Sequence, residues 1–253
     1  MKGQKRLLSF ARRACDDYNM ISPGDTVAVG LSGGKDSLAL LYTMAALRRF
    51  YPVPFRLIAV TIDMRFDEIG KSAADFGPIQ KLCRELDVEY HIEPSNIAKI
   101  VFDIRKESNP CSLCAKLRRG MLCDTAKKLG ANKIALGHHF DDAVQTFMLN
   151  LFYEGRLGCF SPVTYLDRSD VTVIRPFIYA QEKDLSYFTS NAELPVVESE
   201  CPANKKTERE EMKSLLVSLG RENKGLRHRI FGAMQKAGID GYKEAKLKEY
   251  DDE

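Results

Sequence analysis

The chain of 253 residues has no long hydrophobic run. Its unbroken apolar stretches last only a few residues, as at Ile134-Ala135-Leu136, far short of the roughly 20 that cross a bilayer. No membrane partner is expected. A clean apolar block is also missing near the N-terminus. After Met1-Lys2-Gly3-Gln4-Lys5-Arg6 the apolar stretch is broken by Arg12 and Arg13, so no signal peptide is read and a cytoplasmic protein is expected. Repeats, low-complexity tracts and long linkers are absent too, which points to one compact body. With 44% hydrophobic and 29% charged residues of both signs, a mainly disordered chain is excluded. Finally, the cysteines do not come in an even set. Cys15, Cys83, Cys111, Cys114, Cys123, Cys159 and Cys201 make seven, and an odd number in a reducing compartment argues against a disulfide framework. Metal binding or catalysis is the better expectation for any that cluster.

Charge is nearly balanced at +3, but it is unevenly spread. Met1–Met20 carries five Lys/Arg against two Asp, and Pro202–Lys236 carries nine Lys/Arg against four Glu. The remainder is therefore acidic. Two basic ends around an acidic middle suggest a polyanionic partner held by the ends, although solvated helix faces give the same pattern.

Hydrophobic periodicity alternates between strand and helix. Thr26–Gly30 reads as a buried strand, followed by a helical stripe of Leu40, Leu41, Met44 and Leu47. Arg56–Ile62 is a second strand stopped at Asp63, Pro78–Leu86 a helix, and Val88–Ile92 a third strand. Leu117–Leu129 reads as a helix, Lys133–Leu136 as a strand, and Phe140–Glu154 as a helix with Ala143, Val144, Phe147, Met148, Leu151 and Phe152 on one face. A short strand pair, Val163–Leu166 and Val171–Ile174, precedes a helix over Lys183–Asn191, and the chain beyond Cys201 looks helical. The class implied is α/β, a parallel sheet with helices on both faces and a helical C-terminal extension. Three parts are expected: a basic N-terminal helix over 1–22, the α/β domain over 23–200, and a basic helical region over 201–253.

The most informative stretch is Ser32-Gly33-Gly34-Lys35-Asp36-Ser37, set between a strand and a helix. Glycines let backbone N–H groups turn toward a ligand, and with the helix N-terminus they form an anion site. Lys35 adds a positive charge, Ser32 and Ser37 add hydroxyls, and Asp36 is placed to cap the helix or hold a metal ion. The spacing is neither that of a Walker loop nor that of G-x-G-x-x-G. It resembles the PP-loop of ATP pyrophosphatases, a Rossmann-like family whose S-G-G-x-D-S is matched at every fixed position. That resemblance implies that the loop holds the pyrophosphate part of ATP while the α-phosphate is attacked.

A second segment, Gly137-His138-His139-Phe140-Asp141-Asp142, joins a strand to a helix and would face the same crevice. His138 and His139 are placed to donate to phosphate; Asp141 or Asp142 could bind magnesium or cap the helix. Cys111-Ser112-Leu113-Cys114, in a segment running into a helix, could bind zinc, an iron–sulfur cluster or act as a redox dithiol. No second C-x-x-C exists, so a four-thiolate zinc ribbon fails unless histidine contributes, His91 being a spare one. Cys201, read in a loop between a short strand and a helix, is the natural third thiolate. Cys15, Cys83, Cys123 and Cys159 read as packing residues.

Pro110 through Gly120, Ile134 through His139, Val173-Ile174-Arg175-Pro176 and Glu182-Lys183-Asp184 resemble the tRNA 2-thiocytidine synthetase (TtcA) family over about Thr26 to Cys201. After Cys201 the chain departs from the Cys-Gly-Ser-Gln type of sequence, reading Pro202-Ala203-Asn204-Lys205-Lys206. The resemblance implies ATP, magnesium and a [4Fe–4S] cluster as cofactors. It implies tRNA as substrate, a cytidine of the anticodon loop as target, and a cysteine desulfurase or other sulfur donor; a homodimer is open. By motif, Cys111, Cys114 and Cys201 would hold the cluster. Ser32, Gly33, Gly34, Lys35, Asp36, Ser37, Asp63, Gly137 and His138 would bind ATP, and Lys35, Asp36 and Asp141 would serve catalysis. Arg118, Arg119, Lys205, Lys206, Arg227 and Arg229 are candidates for the RNA backbone. Two rivals share these residues: another PP-loop ligase or amidotransferase without a cluster, and a non-enzymatic ATP-binding redox sensor or sulfur carrier.

Overall fold

A computed structural model describes residues 3–106, 110–197, 201–202 and 208–244. After helix α1 (Gln4–Asp17) come β1 (Thr26–Gly30), α2 (Lys35–Leu47), β2 (Arg56–Asp63), α3 (Gly77–Glu85) and β3 (Glu89–Pro94). Next are α4 (Pro110–Lys128), β4 (Lys133–Ala135), α5 (Phe140–Tyr153), β5 (Val163–Leu166), β6 (Val171–Ile174) and α6 (Glu182–Asn191). Helices α7 (Glu208–Glu222) and α8 (Leu226–Lys236) follow.

The strands form one sheet in the order β3-β2-β1-β4-β6-β5, parallel throughout except that β5 runs antiparallel to β6. Side chains alternate between two cores because successive residues of a strand point to opposite faces. Val27 and Val29 of β1 enter one core and Ala28 the other; Leu57 and Ala59 of β2 oppose Ile58, Val60 and Ile62 in the same way. Helices therefore cover both faces, as expected. On one side, α2 buries almost its whole circumference between the sheet and its neighbours α1 and α6. Against that same core, α1 packs Leu7, Ala11, Ala14 and Cys15. No helix among the described residues is long and apolar enough to cross a membrane.

From β1 the chain moves outward to β2 and β3 in one direction, and β4 and β6 lie in the other. The order thus reverses between β1 and β4. Crossovers leave these two strands on opposite sides, so a crevice opens at their carboxyl ends, which is where open α/β sheets bind ligands. The loop after β1 and the turn after β4 are the two motif segments.

Three local expectations are corrected. Helix α4 starts at Pro110, seven residues before the apolar period begins, so Cys111 and Cys114 lie on the helix itself. Proline at the first helical position loses nothing, since its missing N–H would have no intrahelical partner. In α5 the apolar face ends early: Leu151 and Phe152 are 38% and 55% exposed, because the last turn overruns the core. Lastly, no strand is formed over 194–197 before Cys201. The N–H of Val197 donates instead to Gly33 O at 3.0 Å, tying this segment to the loop after β1. The N-terminal helix covers Gln4–Asp17 rather than all of 1–22, and the other strand and helix bounds fall within two residues of the expected ones.

Candidate active site

The phosphate-type loop is built by its own hydroxyls. Ser37 Oγ accepts from Ser32 N at 3.2 Å and donates to Gly34 O at 2.8 Å, and the hydroxyls of Ser32 and Ser37 are 3.2 Å apart. Gly33 sits at φ +83°, and a Cβ there would stand 3.0 Å from Val197 Cβ. Only glycine meets both demands. Gly34 caps α2 without a side-chain hydrogen bond, so the N–H groups of the first turn have no intrahelical partner and no capping oxygen. This open N-terminus is suited to an anion. Lys35 Nζ is held by both Asp36 oxygens, at 2.9 and 3.0 Å, and stands 3.4 Å from Glu182 Oε1. Burial works against this ammonium, but Asp36 and Glu182 outweigh it and raise its pKa above the ordinary value. Burial likewise opposes ionisation of Glu182, and Lys213 and Lys35 overcome it, so its pKa falls.

The turn after β4 approaches this loop closely. A Cβ on Gly137 would lie 3.1 Å from the backbone carbonyl of Asp36 and 3.3 Å from Ser37 N. His139 then caps α5 reciprocally with Asp142: Asp142 N donates to His139 Nδ1 at 3.4 Å, and His139 N donates to Asp142 Oδ2 at 3.0 Å. Of the two roles weighed for Asp142, the structure displays the cap. Asp141 is buried and turned elsewhere, accepting from Glu182 N at 2.8 Å and from Arg227 at 2.7 Å. His138 has a buried Nδ1 with no partner among the described residues, and its ring centre lies 5.0 Å from that of Phe160. Burial, with Arg175 adding to it, pushes its pKa down to about 4. At the end of β2, Asp63 Oδ1 accepts from Arg65 N at 2.9 Å.

One cavity of about 550 Å³ unites most of these groups. Ser32, Asp36 and Ser37 line it from the loop, Asp63 from β2, Gly137 and His138 from the turn, and Cys111, Cys114 and Cys201 line it too. Gly33, Gly34, Lys35 and Asp141 are not among its lining residues. Cys111 is exposed, while Cys114 and Cys201 are half-buried. Burial raises the Cys114 pKa, Arg118 lowers it, and the neighbouring Cys201 and Cys111 raise it again. Cys114 thus lies close to both other thiols, beside a guanidinium that favours its thiolate. Among the described residues, no three His, Cys, Asp or Glu side chains form a ready-made site for a single ion. A cuboidal cluster takes each thiolate on a different iron, so its ligands need not converge on one point. Three cysteines on one wall, two from a rigid helix, fit such a group. No disulfide joins the seven cysteines. Burial pushes the Cys83 thiol up to about 12 and raises Cys15 further, while Cys159 donates to Ala143 O at 3.4 Å.

The candidate RNA contacts separate. Arg118 lines the cavity, and Arg119 is exposed on the same helix. Arg227 is committed to buried Asp141, and Arg229 to Lys224 O and Asn223. Lys205 and Lys206 lie outside the described residues. Arg209, which the sequence reading did not single out, lines the cavity and pairs with Asp142 at 3.4 Å and Thr146 at 3.1 Å. Glu182 was noticed only as part of a motif. Its partner Lys35 is 147 residues away in sequence, and only the packing of α6 on α2 reveals the pair.

The loop, the switch-point crevice and the strand order define a PP-loop nucleotide-binding domain, and the sequence profile of the PP-loop domain family matches residues 5–219. The chain is 38% identical over 233 residues to the tRNA-cytidine(32) 2-sulfurtransferase of Geobacter sulfurreducens, covering 91% of this chain and 89% of that one. To the tRNA-cytidine(32) 2-sulfurtransferase of Syntrophotalea carbinolica it is 36% identical over 249 residues, covering 97% and 94%. Among solved structures, the U34-tRNA thiolase NcsA of Methanococcus maripaludis, with its [4Fe-4S] cluster, matches with a TM-score of 0.70 at 25% identity. That match covers 90% of this chain and 77% of the thiolase. The chain belongs to the tRNA-cytidine 2-sulfurtransferase family, and it is a transferase.

Proposed function

We propose that this protein thiolates the cytidine at position 32 of tRNA at the expense of ATP, giving 2-thiocytidine, AMP and pyrophosphate. The observation that carries the reading is the single cavity onto which the phosphate loop and three cysteines both open. An enzyme that only adenylates has no use for that thiol wall, and a redox sensor has no use for an uncapped phosphate site beside it.

In this reading the first-turn N–H groups of α2 and the hydroxyls of Ser32 and Ser37 hold the phosphates of ATP. Lys35, positioned by Asp36 and Glu182, adds its charge as pyrophosphate develops. The pyrimidine O2 attacks the α-phosphate, which turns a poor leaving group into AMP. Asp36 and Asp63, both lining the cavity, would hold magnesium beside the phosphates. Cys111, Cys114 and Cys201 would hold the [4Fe–4S] cluster; when bound, it supplies an iron without a protein ligand at which an exogenous sulfur is held. Arg118, which lines the cavity, offers charge to the RNA backbone entering it.

The test is thiolation of unmodified tRNA by the anaerobically reconstituted protein, read by mass spectrometry of nucleosides. ATP-dependent appearance of 2-thiocytidine at position 32 is expected, and its loss in Cys111→Ala, Cys114→Ala and Cys201→Ala separately. Product formation by Cys201→Ala at the parental rate would refute the three-cysteine reading. A different thiolated base would refute the target.

A further inference from the structure

His138 is a titratable cavity residue whose chemistry the mechanism above leaves unused. It follows Gly137, whose close approach to Asp36 fixes it beside the phosphate loop, yet it lines the cavity shared with the three cysteines. Its ring is held in place. It packs on Phe160 at 5.0 Å, and Phe160 in turn lies 4.9 Å from the guanidinium of Arg175. Arg175 is buried and anchored by Ser161 O at 2.5 Å and Thr164 Oγ1 at 3.2 Å, so this support is rigid.

The neutral imidazole carries one N–H, and the structure indicates which nitrogen bears it. Nδ1 is buried without a partner among the described residues. A proton there would be a buried donor with no acceptor, which costs more than a bare lone pair. The hydrogen therefore sits on Nε2. The charged and titratable groups around the ring are Arg175, Asp142, Arg209 and His139; with burial, the arginines and His139 outweigh Asp142 and keep the ring neutral. An uncharged N–H donor adds little to a polyphosphate already served by a helix N-terminus and Lys35. It matches an uncharged acceptor, such as a pyrimidine oxygen or ring nitrogen.

We propose that His138 holds the acceptor base, donating from Nε2–H to a pyrimidine acceptor atom between the ATP loop and the cysteine wall. This assignment rests on the tRNA-thiolation reading and adds the residue that positions the target. A neutral donor here also favours a base that offers an acceptor on that edge, because one lacking it leaves the imidazole N–H unpaired.

The experiment compares the reconstituted parent with His138→Leu and His138→Gln, the second retaining an N–H donor. Affinity for ATP alone is measured by calorimetry, and thiolation of tRNA is followed across pH 5.5–8. For His138→Leu, kcat/KM for tRNA should fall on the order of 10- to 100-fold. ATP affinity should stay within about twofold of the parent's, and His138→Gln should recover part of the loss. His138 should contribute no limb in that range, so the pH profiles of the parent and His138→Gln should share their shape. A comparable fall in ATP affinity would make His138 a phosphate ligand and overturn the assignment, as would parental kcat/KM in His138→Leu. If the parent thiolates and only the His138 prediction fails, this assignment falls alone. If the parent thiolates no tRNA, the functional reading falls and takes this one with it.

Discussion

Arg227 is where the two readings of the basic C-terminal region diverge most sharply. As an RNA contact it would be a solvated charge; in the structure its guanidinium lies 2.7 Å from Asp141. The Asp141 side chain is only 6% exposed, and that of Arg227 is 36% exposed. Asp141 keeps one other hydrogen bond, from Glu182 N at 2.8 Å. Replacing Arg227 by Met would leave a buried carboxylate with a single neutral donor. Breaking a fully buried pair costs about 3–5 kcal/mol; with a third of the arginine head in water, about 2 kcal/mol is the fitting magnitude here. For a chain of this size each kcal/mol moves the melting temperature by about 2–4 °C, so Arg227→Met should melt about 4–8 °C lower.

The assay is thermal and urea unfolding of Arg227→Met, Asp141→Asn and the double variant. Asp141→Asn keeps an oxygen for Glu182 N and removes the charge that needs Arg227. The double variant should therefore be less destabilised than the sum of the singles, by about 1 kcal/mol or more. In parallel, the salt dependence of tRNA binding should be unchanged in Arg227→Met. A parental melting temperature together with a log–log salt slope reduced by about 0.7–0.9 would mean that Arg227 meets a phosphate, and would refute the structural assignment.

Gly137→Ala should weaken ATP binding by about tenfold, because its Cβ would meet the Asp36 carbonyl at 3.1 Å and push on the first turn of α2; unchanged affinity by calorimetry would refute that close approach. His138 also makes stability depend on pH. Its folded pKa of about 4 lies below the ordinary 6.5, so the unfolded chain binds more protons between these values and stability falls as pH drops through them. The total loss is about 3 kcal/mol, and it should be missing in His138→Gln; parallel pH–stability curves for the two proteins would refute the burial argument. Cys123→Ala should keep full iron after reconstitution, since Cys123 is buried in the core under α4, and should cost about 1 kcal/mol in urea; loss of iron would move this cysteine into the metal site.

Most of the fold was legible because each strand and helix carries its own period. β5 and β6 were found at their observed bounds, since a short alternating pair needs only local pattern. Their place in the main sheet, β6 parallel to β4 and β5 antiparallel at the edge, was not legible, because strand order depends on which faces the crossovers bury. Helix α4 was shortened for a local reason. Its first turns carry Cys111, Ser112, Ala115 and Lys116, which line a cavity or face solvent rather than a core, so no apolar period marks them. A helix that begins inside a functional site loses the signal by which helices are recognised.

The site divides along the same line. Residues set by backbone demands were visible: the glycines and hydroxyls of the phosphate loop, the turn at Gly137, and the C-x-x-C pair. Side chains defined by their partner were not. The excess positive charge of both ends suggested a grip on a polyanion, but much of it is spent inside the protein. Arg6 pairs with Asp184 of α6, and Arg12 and Arg13 pair with Asp16 and Asp17 one turn along α1. Arg209, Lys213 and Arg227 from α7 and α8 meet Asp142, Glu182 and Asp141 at the first turns of α5 and α6. Of these carboxylates, Glu182 also holds Lys35 of the nucleotide loop. Removing one C-terminal cation thus alters the field at the loop as well as the packing of a helix. A charge census records the same residues as an RNA-binding tail, because it counts sign without knowing which acid each base has found.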